Sequence, residues 1–257
     1  MKQFLKAMIS SMGYEVRRKP RPGASTETKL AGSAHSENGI PDSSFYQPVF
    51  SPWLGFGEFA AYLEKARPLT LVSPDRCYLL YSLALQALNL HGEFWECGVY
   101  KGGTALLLAS LIAEKADPAR RPTLRLFDTF EGMPQTDPEK DCHRRGDFAD
   151  TSVEAVTHHV GYQEFVSFHK GFIPGTFEGL EERVIAFAHV DVDIYNSIAD
   201  SCQFIYPRTL PGGFVIFDDY GFPTCPGARE AVDDFFRSKP EVPLVLPTGQ
   251  AVVIKLP

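Results

Sequence analysis

The sequence predicts an α/β fold, built on a mostly parallel seven-stranded sheet with helices on both faces and an antiparallel strand at its edge. Three observations predict it. Strand-like and helix-like segments alternate from Glu93 to Arg237. The strand segments are nearly continuous apolar runs, as expected where helices cover both faces of a sheet. The chain then closes on two extended runs, Val242–Leu246 and Ala251–Leu256, separated by the turn residues Pro-Thr-Gly-Gln.

The elements follow in order. Phe4, Leu5, Met8, Ile9 and Met12 are spaced as on one face of a helix, so residues 2–14 are expected to dock that face on protein; a membrane surface is the competing reading. Arg17–Ser44 is rich in Pro, Gly, Ser and charge, with almost no large apolar residues, the composition of a linker or arm. The expected organisation is therefore an N-terminal helix and flexible arm over 1–44, then one domain over 45–257 that opens with a helical cap, 45–90. Within that cap, Phe56–Arg67 and Pro74–Leu90 read as helices, with Pro74 near the start of the second.

The alternating part runs strand Glu93–Val99, helix Thr104–Lys115, strand Thr123–Phe127, helix Ser152–Val160, strand Phe165–His169, strand Val184–Val190, helix Asn196–Tyr206, strand Phe214–Phe217 and helix Pro226–Arg237. Ligands of such sheets bind beyond the carboxyl ends of the strands. There the sequence places Gly98, Asp128, Asp191 and Asp218.

With 25 Lys and Arg against 32 Asp and Glu, the net charge of −7 disfavours a nucleic-acid partner, which wants a basic face. Five cysteines, an odd number without a CxxC pair, argue against a disulfide framework and for a reducing, cytoplasmic setting. No apolar run is long enough for a transmembrane segment.

Glu96-Cys-Gly98-Val-Tyr-Lys-Gly102-Gly103-Thr104 joins the first strand to its helix. Glycines there permit a sharp turn and a close ligand, and the helix start offers free amides to a carboxylate. The spacing is neither G-x-G-x-x-G nor a P-loop. An acid after the second strand, Asp128, suits ribose hydroxyls, and Glu96 suits a cationic amine. A ligand with an amine, a carboxylate and a ribose but no phosphate fits this set, and S-adenosylmethionine answers to that description.

Asp191 ends the fourth strand, and Asp218-Asp219 ends the fifth. Three acids brought together repel one another unless a cation joins them. An all-oxygen set selects Mg²⁺ or another hard divalent ion, which would lower the pKa of an acceptor hydroxyl. Asp193 reads as a supporting group or a helix cap. His143, His169 and His189 are each a candidate base or a structural residue.

The motifs ECGVYKGGT, FDTFEGMP, GDFADTS, HKGFIPGTFE and HVDVDIYNSIADSCQFIYPRTLPGGFVIFDDYG occur in this order. Together they resemble the macrocin O-methyltransferase family, whose members act on sugar hydroxyls of macrolide and aminocoumarin antibiotics. The resemblance covers Leu69 to Phe236. It implies a Rossmann-like class I methyltransferase fold, S-adenosylmethionine and a Mg²⁺ ion held by Asp191, Asp218 and Asp219, with Asp191 also the general base. It implies that Glu96, Gly98, Gly102, Gly103 and Thr104 shape the methionine end of the cofactor pocket. Asp128 then takes the ribose, Phe130, Asp147 and Gly171 lie near the adenine or the lid, and Leu69–Val72 helps to close the site. One departure is Val192, where the family often has glycine. The expected acceptor is a sugar or glycosylated metabolite, and the aromatic segment Phe45–Phe59 is a candidate contact in a homo-oligomer. Two other functions compete. Asp191-Val-Asp193 is a DxD, the metal-binding pattern of many glycosyltransferases, and a non-catalytic binding protein would keep the fold alone.

Overall fold

The computed structural model describes residues 51–55 and 57–257. The expected N-terminal helix over 2–14, the arm over 17–44 and most of the aromatic segment lie outside the described residues. The described part of the cap comprises a 3-10 turn at Pro52–Leu54, helix α1 (Phe59–Ala66), a 3-10 turn at Arg67–Leu69 and helix α2 (Pro74–Ala87).

The remaining elements are β1 (Glu93–Cys97), α3 (Gly103–Lys115), β2 (Leu124–Asp128), α4 (Val153–Val160), β3 (Val166–Lys170), β4 (Ile185–Val190), α5 (Tyr195–Ile205), β5 (Thr209–Phe217), α6 (Pro226–Phe236), β6 (Leu244–Val245) and β7 (Ala251–Ile254). They form a seven-stranded sheet in the order β3-β2-β1-β4-β5-β7-β6. The first five strands pair in parallel, and β7 pairs antiparallel with both β5 and β6. The closing hairpin is therefore present, with one correction: the antiparallel strand is not the edge. The apolar run of β7, Ala251-Val-Val-Ile, takes the buried place beside β5, and the two exposed residues of β6 form the rim.

Residues of β1, β2, β4 and β5 alternate between two cores, as the two-residue period of a strand requires. Phe94, Leu124, Leu126, Phe187, Phe214 and Ile216 pack on the side of α1–α4. Trp95, Cys97, Phe127, Ala188, Val215 and Phe217 pack under α5 and α6. Strand β5 begins five residues before the expected Phe214, at Thr209. Leu210-Pro-Gly-Gly reads as a turn, but here it is an irregularity inside a strand. Ile185 pairs with Thr209, Phe187 next pairs with Phe214, and the surplus residues bulge out.

The cleft depends on a close approach of β1 and β4 just past their last paired residues. Gly98 turns with φ +85°, and a Cβ there would sit 1.7 Å from the Asp191 carbonyl oxygen. Neither backbone can retreat, since the Gly98 amide donates to the Phe127 carbonyl at 2.9 Å and the Asp191 amide to the Cys97 carbonyl at 2.8 Å. Gly98→Ala is expected to cost about 3 kcal/mol from overpacking and left-handed strain. For a chain of this size that lowers the melting temperature by roughly 6–12 °C. A thermal melt within 1–2 °C of wild type, about the effect of a neutral surface change, would mean that the two strand ends are not held in this contact.

Candidate active site

The carboxyl ends of β1, β2, β4 and β5 surround a cleft of about 280 Å³. Its polar wall carries Gly98, Thr104, Asp128, Asp191, Asp193 and Asp219. Its apolar wall includes Leu69, Leu71, Val72, Phe148, Phe172 and Phe222. Leu71 and Phe172 are 66% and 61% exposed, so these side chains stand at the mouth, available to a ligand.

The register of the sheet produces a buried polar row beneath this cleft. Glu96 of β1 is paired with His189 of β4, and His189 with Ile216 of β5. Asp218 lies two residues beyond Ile216 and so falls on the same face. His189 Nδ1 is 2.9 Å from Glu96 Oε1, and His189 Nε2 is 3.3 Å from Asp218 Oδ1. Gln250 Nε2 donates to Asp218 Oδ1 at 2.7 Å. Arg76, from the first turn of α2, donates to Asp218 Oδ2 and lies over the ring of Phe222, 4.7 Å from its centroid.

Charge explains the protonation of this row. Burial alone would lower the pKa of His189, but its hydrogen bonds to Asp218 and Glu96 prevail and hold it up at about 10. His189 is thus an imidazolium that donates to both carboxylates. Asp218, which burial would push up, is held below the usual carboxylate range by His189, Arg76 and Gln250. For Asp191 the charges of His189 and Arg76, and for Asp219 the Asp193 amide, are too little to offset burial. Burial, and then the charge of Asp218 on the first and of Asp193, Asp191 and Asp218 on the second, push both well above the usual range. Glu96, Asp191, Asp193, Asp218 and Asp219 together outnumber the neighbouring cations, Arg76 and His189. A donor set with this surplus of carboxylates fits a divalent cation.

The three acids expected to converge are arranged in a particular way. Ligand atoms of Asp191 and Asp218 lie within 4.8 Å of one another, with His189 as the third member of the group. Asp219 stands outside that group, and its Oδ2 accepts the Asp193 amide at 2.9 Å. Asp218 is fully buried behind the wall, whereas Asp191 and Asp219 line the cleft.

Asp128 has a use that its position in the sequence did not reveal. Its Oδ2 accepts the Val99 and Tyr100 amides at 2.7 and 3.0 Å, and its Oδ1 accepts the Phe130 amide at 2.6 Å. The carboxylate therefore braces the glycine turn after β1 against the turn after β2. Among the other expected cofactor residues, Thr104 and Gly171 line the cleft. Glu96 lies beneath it, with Oε2 buried and without a hydrogen-bond partner. Gly102 faces Val156 and Val160, and Gly103 faces Leu69 and Thr70. These two glycines set the close packing of α3 rather than the lining. Phe130 is in the core, 1% exposed, and Asp147 is an exposed loop residue that accepts the Arg144 amide. Of the other histidines, His169 stacks on Phe127 at 4.6 Å and is held below its ordinary pKa by burial and Arg125. His143 lines the cleft.

A family model described as macrocin-O-methyltransferase matches residues 81–246. A tetracenomycin-C rhamnosyl 4'-O-methyltransferase from Streptomyces olivaceus is 31% identical over 155 residues, which are 56% of this chain and 58% of that protein. Demethyldecarbamoylnovobiocin O-methyltransferase from Streptomyces niveus is 29% identical over 158 residues, 57% of this chain and 59% of that one. The chain thus spans less than two thirds of the length of either relative. The solved structure of the O-methyltransferase NovP superposes with a TM-score of 0.65 at 24% identity, over 74% of this chain and 83% of that one. The fold is accordingly the Rossmann-like class I methyltransferase fold. Among the described residues no helix is long and apolar enough to cross a membrane.

Proposed function

The chain belongs to the macrocin-O-methyltransferase family, and from that premise we propose that it transfers the methyl group of S-adenosylmethionine to a hydroxyl of a glycosylated small molecule, with a divalent cation at Asp191, Asp218 and Asp219. The observation that carries the reading is the charge imbalance at the carboxyl ends of β4 and β5. Two acids that line the cleft, Asp191 and Asp219, are pushed well above the ordinary carboxyl range, next to a glycine turn that suits the cofactor. The sugar acceptor is taken from the tetracenomycin-C relative, whose name specifies O-methylation of a rhamnosyl compound.

The chemistry assigned to the bound groups is an electrophilic methyl on a sulfonium and an acceptor hydroxyl acidified by a cation. The protein's own residues do the rest. Asp191 Oδ, which lines the cleft, accepts the hydroxyl proton. Glu96 Oε2, the buried acceptor without a partner, answers the cofactor's ammonium. The amides at the start of α3 meet its carboxylate. Leu71, Val72 and Phe172 exclude water from the transfer. The DxD reading loses ground because it gives no use to the glycine turn after β1 or to Asp128, whose carboxylate braces that turn.

The test is methyl transfer from S-adenosylmethionine to a panel of glycosylated acceptors, followed by mass spectrometry. A product gaining one methyl group should form with Mg²⁺, vanish with chelator and return when the metal is restored. Undiminished turnover in chelator would remove the cation from the mechanism. Tight binding of a sugar nucleotide, with none of S-adenosylmethionine, would restore the glycosyltransferase.

Asp128→Asn gives a separate check. An amide cannot present acceptors to the Val99, Tyr100 and Phe130 amides at once, so one brace is lost. Breaking a hydrogen bond to a charged group costs about 1.5–3 kcal/mol. Calorimetry should show cofactor affinity reduced roughly 10- to 100-fold, with turnover at saturating cofactor nearly unchanged. Unaltered affinity would refute the brace.

A further inference from the structure

A second group of donors lies on the same wall, apart from the pair Asp191–Asp218, and its chemistry is softer. His143 comes from the loop between β2 and α4, Asp193 from the turn after β4, and Cys225 from the residue before α6. All three line the cleft. Cys225 Sγ is 3.3 Å from Asp193 Oδ1 and 3.7 Å from His143 Nε2, and His143 Nε2 is 3.6 Å from Asp193 Oδ1. The same three atoms define every edge of this triangle.

We propose that His143 Nε2, Asp193 Oδ1 and Cys225 Sγ form a binding site for a thiophilic divalent cation such as Zn²⁺, with its fourth coordination position open to the cleft. The triangle's size is the first reason. Tetrahedral zinc with bonds of about 2.0–2.2 Å to N and O and about 2.3 Å to S holds those ligands roughly 3.4–3.6 Å apart. The observed edges deviate from that face by a few tenths of an ångström. Direct hydrogen bonding explains the two edges that meet at sulfur but not the third, since 3.6 Å between nitrogen and oxygen is too long for a bond.

The second reason is the support behind each donor. His143 Nδ1 lies 3.4 Å from Asp147 Oδ2, the carboxylate–imidazole arrangement that fixes the ring of a metal-ligating histidine. The loop that carries His143 is pinned by Asp141, which is buried. Asp141 Oδ1 accepts the Tyr195 amide at 2.9 Å, and its Oδ2 accepts the Asp137 amide at 2.9 Å. Asp193 is held with φ +58°, a conformation uncommon for a non-glycine residue and often found where a side chain is presented for function. Burial and the charges of Asp219 and Asp193 push the Cys225 thiol up, so the thiolate forms only as the cation binds and displaces the proton. On binding, the thiol proton leaves to solvent and the sulfur forms the metal bond. Ligand type separates the two cation sites: a hard ion prefers the carboxylates, and a thiolate with imidazole selects the softer one.

The experiment uses Co²⁺ as a spectroscopic substitute for Zn²⁺ on the full chain, with excess Mg²⁺ present. The expected result is one Co²⁺ per chain with a thiolate-to-cobalt charge-transfer band and tetrahedral d–d absorption, both displaced by Zn²⁺. Cys225→Ser should abolish the charge-transfer band. His143→Ala should weaken Zn²⁺ binding at least about tenfold, because it removes a ligand outright. Cys142→Ser, a change at the exposed neighbouring thiol, should retain the band. Circular dichroism establishes that each variant is folded, and if Cys225→Ser is not, the His143→Ala arm decides. The proposal is overturned by the lack of a charge-transfer band in the wild type, by its survival in Cys225→Ser, by its loss in Cys142→Ser, by its displacement with Mg²⁺, or by unchanged Zn²⁺ affinity in His143→Ala.

Discussion

Asp191→Asn is expected to bind S-adenosylmethionine as the wild type does, to melt higher than the wild type when divalent metal is removed, and to transfer methyl groups about a thousandfold more slowly or worse. The rate loss follows from the roles assigned to this carboxylate. An amide is a poorer ligand for a hard cation and cannot take a proton, and the two effects together remove several kcal/mol of transition-state stabilisation. The gain in stability follows from the sign of the pKa shift. Burial and the Asp218 charge raise Asp191 well above its ordinary value. An acid raised in the folded state contributes stability that is complete below its unfolded pKa of about 3.9 and is lost as pH rises through the folded value. Above the unfolded pKa, burying this acid is therefore a cost in the metal-free protein. Asparagine removes that cost, and a bound cation removes it in the wild type. Differential scanning fluorimetry with chelator and with Mg²⁺ should show a large metal-dependent rise for the wild type and a small one for the variant. Wild-type turnover in the variant, or an equal metal-dependent rise in both proteins, would dismiss Asp191 from the site.

The sequence disclosed what is local and periodic. The apolar runs of β1, β2 and β4 and the residues just past them could be read directly, because a ligand site at the carboxyl ends of parallel strands follows from topology. The placing of Gly98, Asp128, Asp191 and Asp218 was legible for that reason. Partners contributed by remote segments were not. Arg76 meets Asp218 across 142 residues and Gln250 meets it across 32, and nothing in the local spacing of either announces the contact. His189 looked like one of several histidines until the register set it between Glu96 and Asp218. The signal was present in principle, since Glu96 and His189 are polar residues inside otherwise apolar strands, and buried polar groups need partners. Strand β5 extends back past the Pro-Gly pair because these residues bulge out of the ladder between Thr209 and Phe214 instead of ending the strand. The antiparallel strand was put at the edge because sequence shows that a hairpin exists but not which arm faces the sheet. His143, Asp193 and Cys225 come from three separate loops, so their triangle required the folded chain.

The buried row also joins the two ends of the proposed reaction. Glu96 faces the cofactor's amine in the functional reading and Asp218 supports the cation, while His189 donates to both. A change at either end alters the charge that the imidazolium must balance. Cofactor and metal are thus expected to influence each other's binding through a single side chain, without any movement of the strands that carry them.

His189→Gln tests this row most directly. Glutamine retains a donor for one carboxylate but brings no charge, so Glu96 and Asp218 are left buried with Arg76 as their remaining cation. Breaking a buried ionic arrangement by removing one partner costs about 3–5 kcal/mol, a fall of roughly 10 °C in melting temperature for a chain of this size. The pH dependence identifies the cause. A histidine raised in the folded state stabilises fully below its unfolded pKa of about 6.5, and the contribution disappears as pH rises through the folded value, which is about 10 here. The gap between wild type and variant should therefore be widest near pH 6, narrow steadily from there and close above pH 10. A cavity or a lost packing contact would give a gap that does not vary with pH. Parallel melting curves for the two proteins across that range would show that His189 is not a charged bridge, and that the two carboxylates are neutralised in some other way.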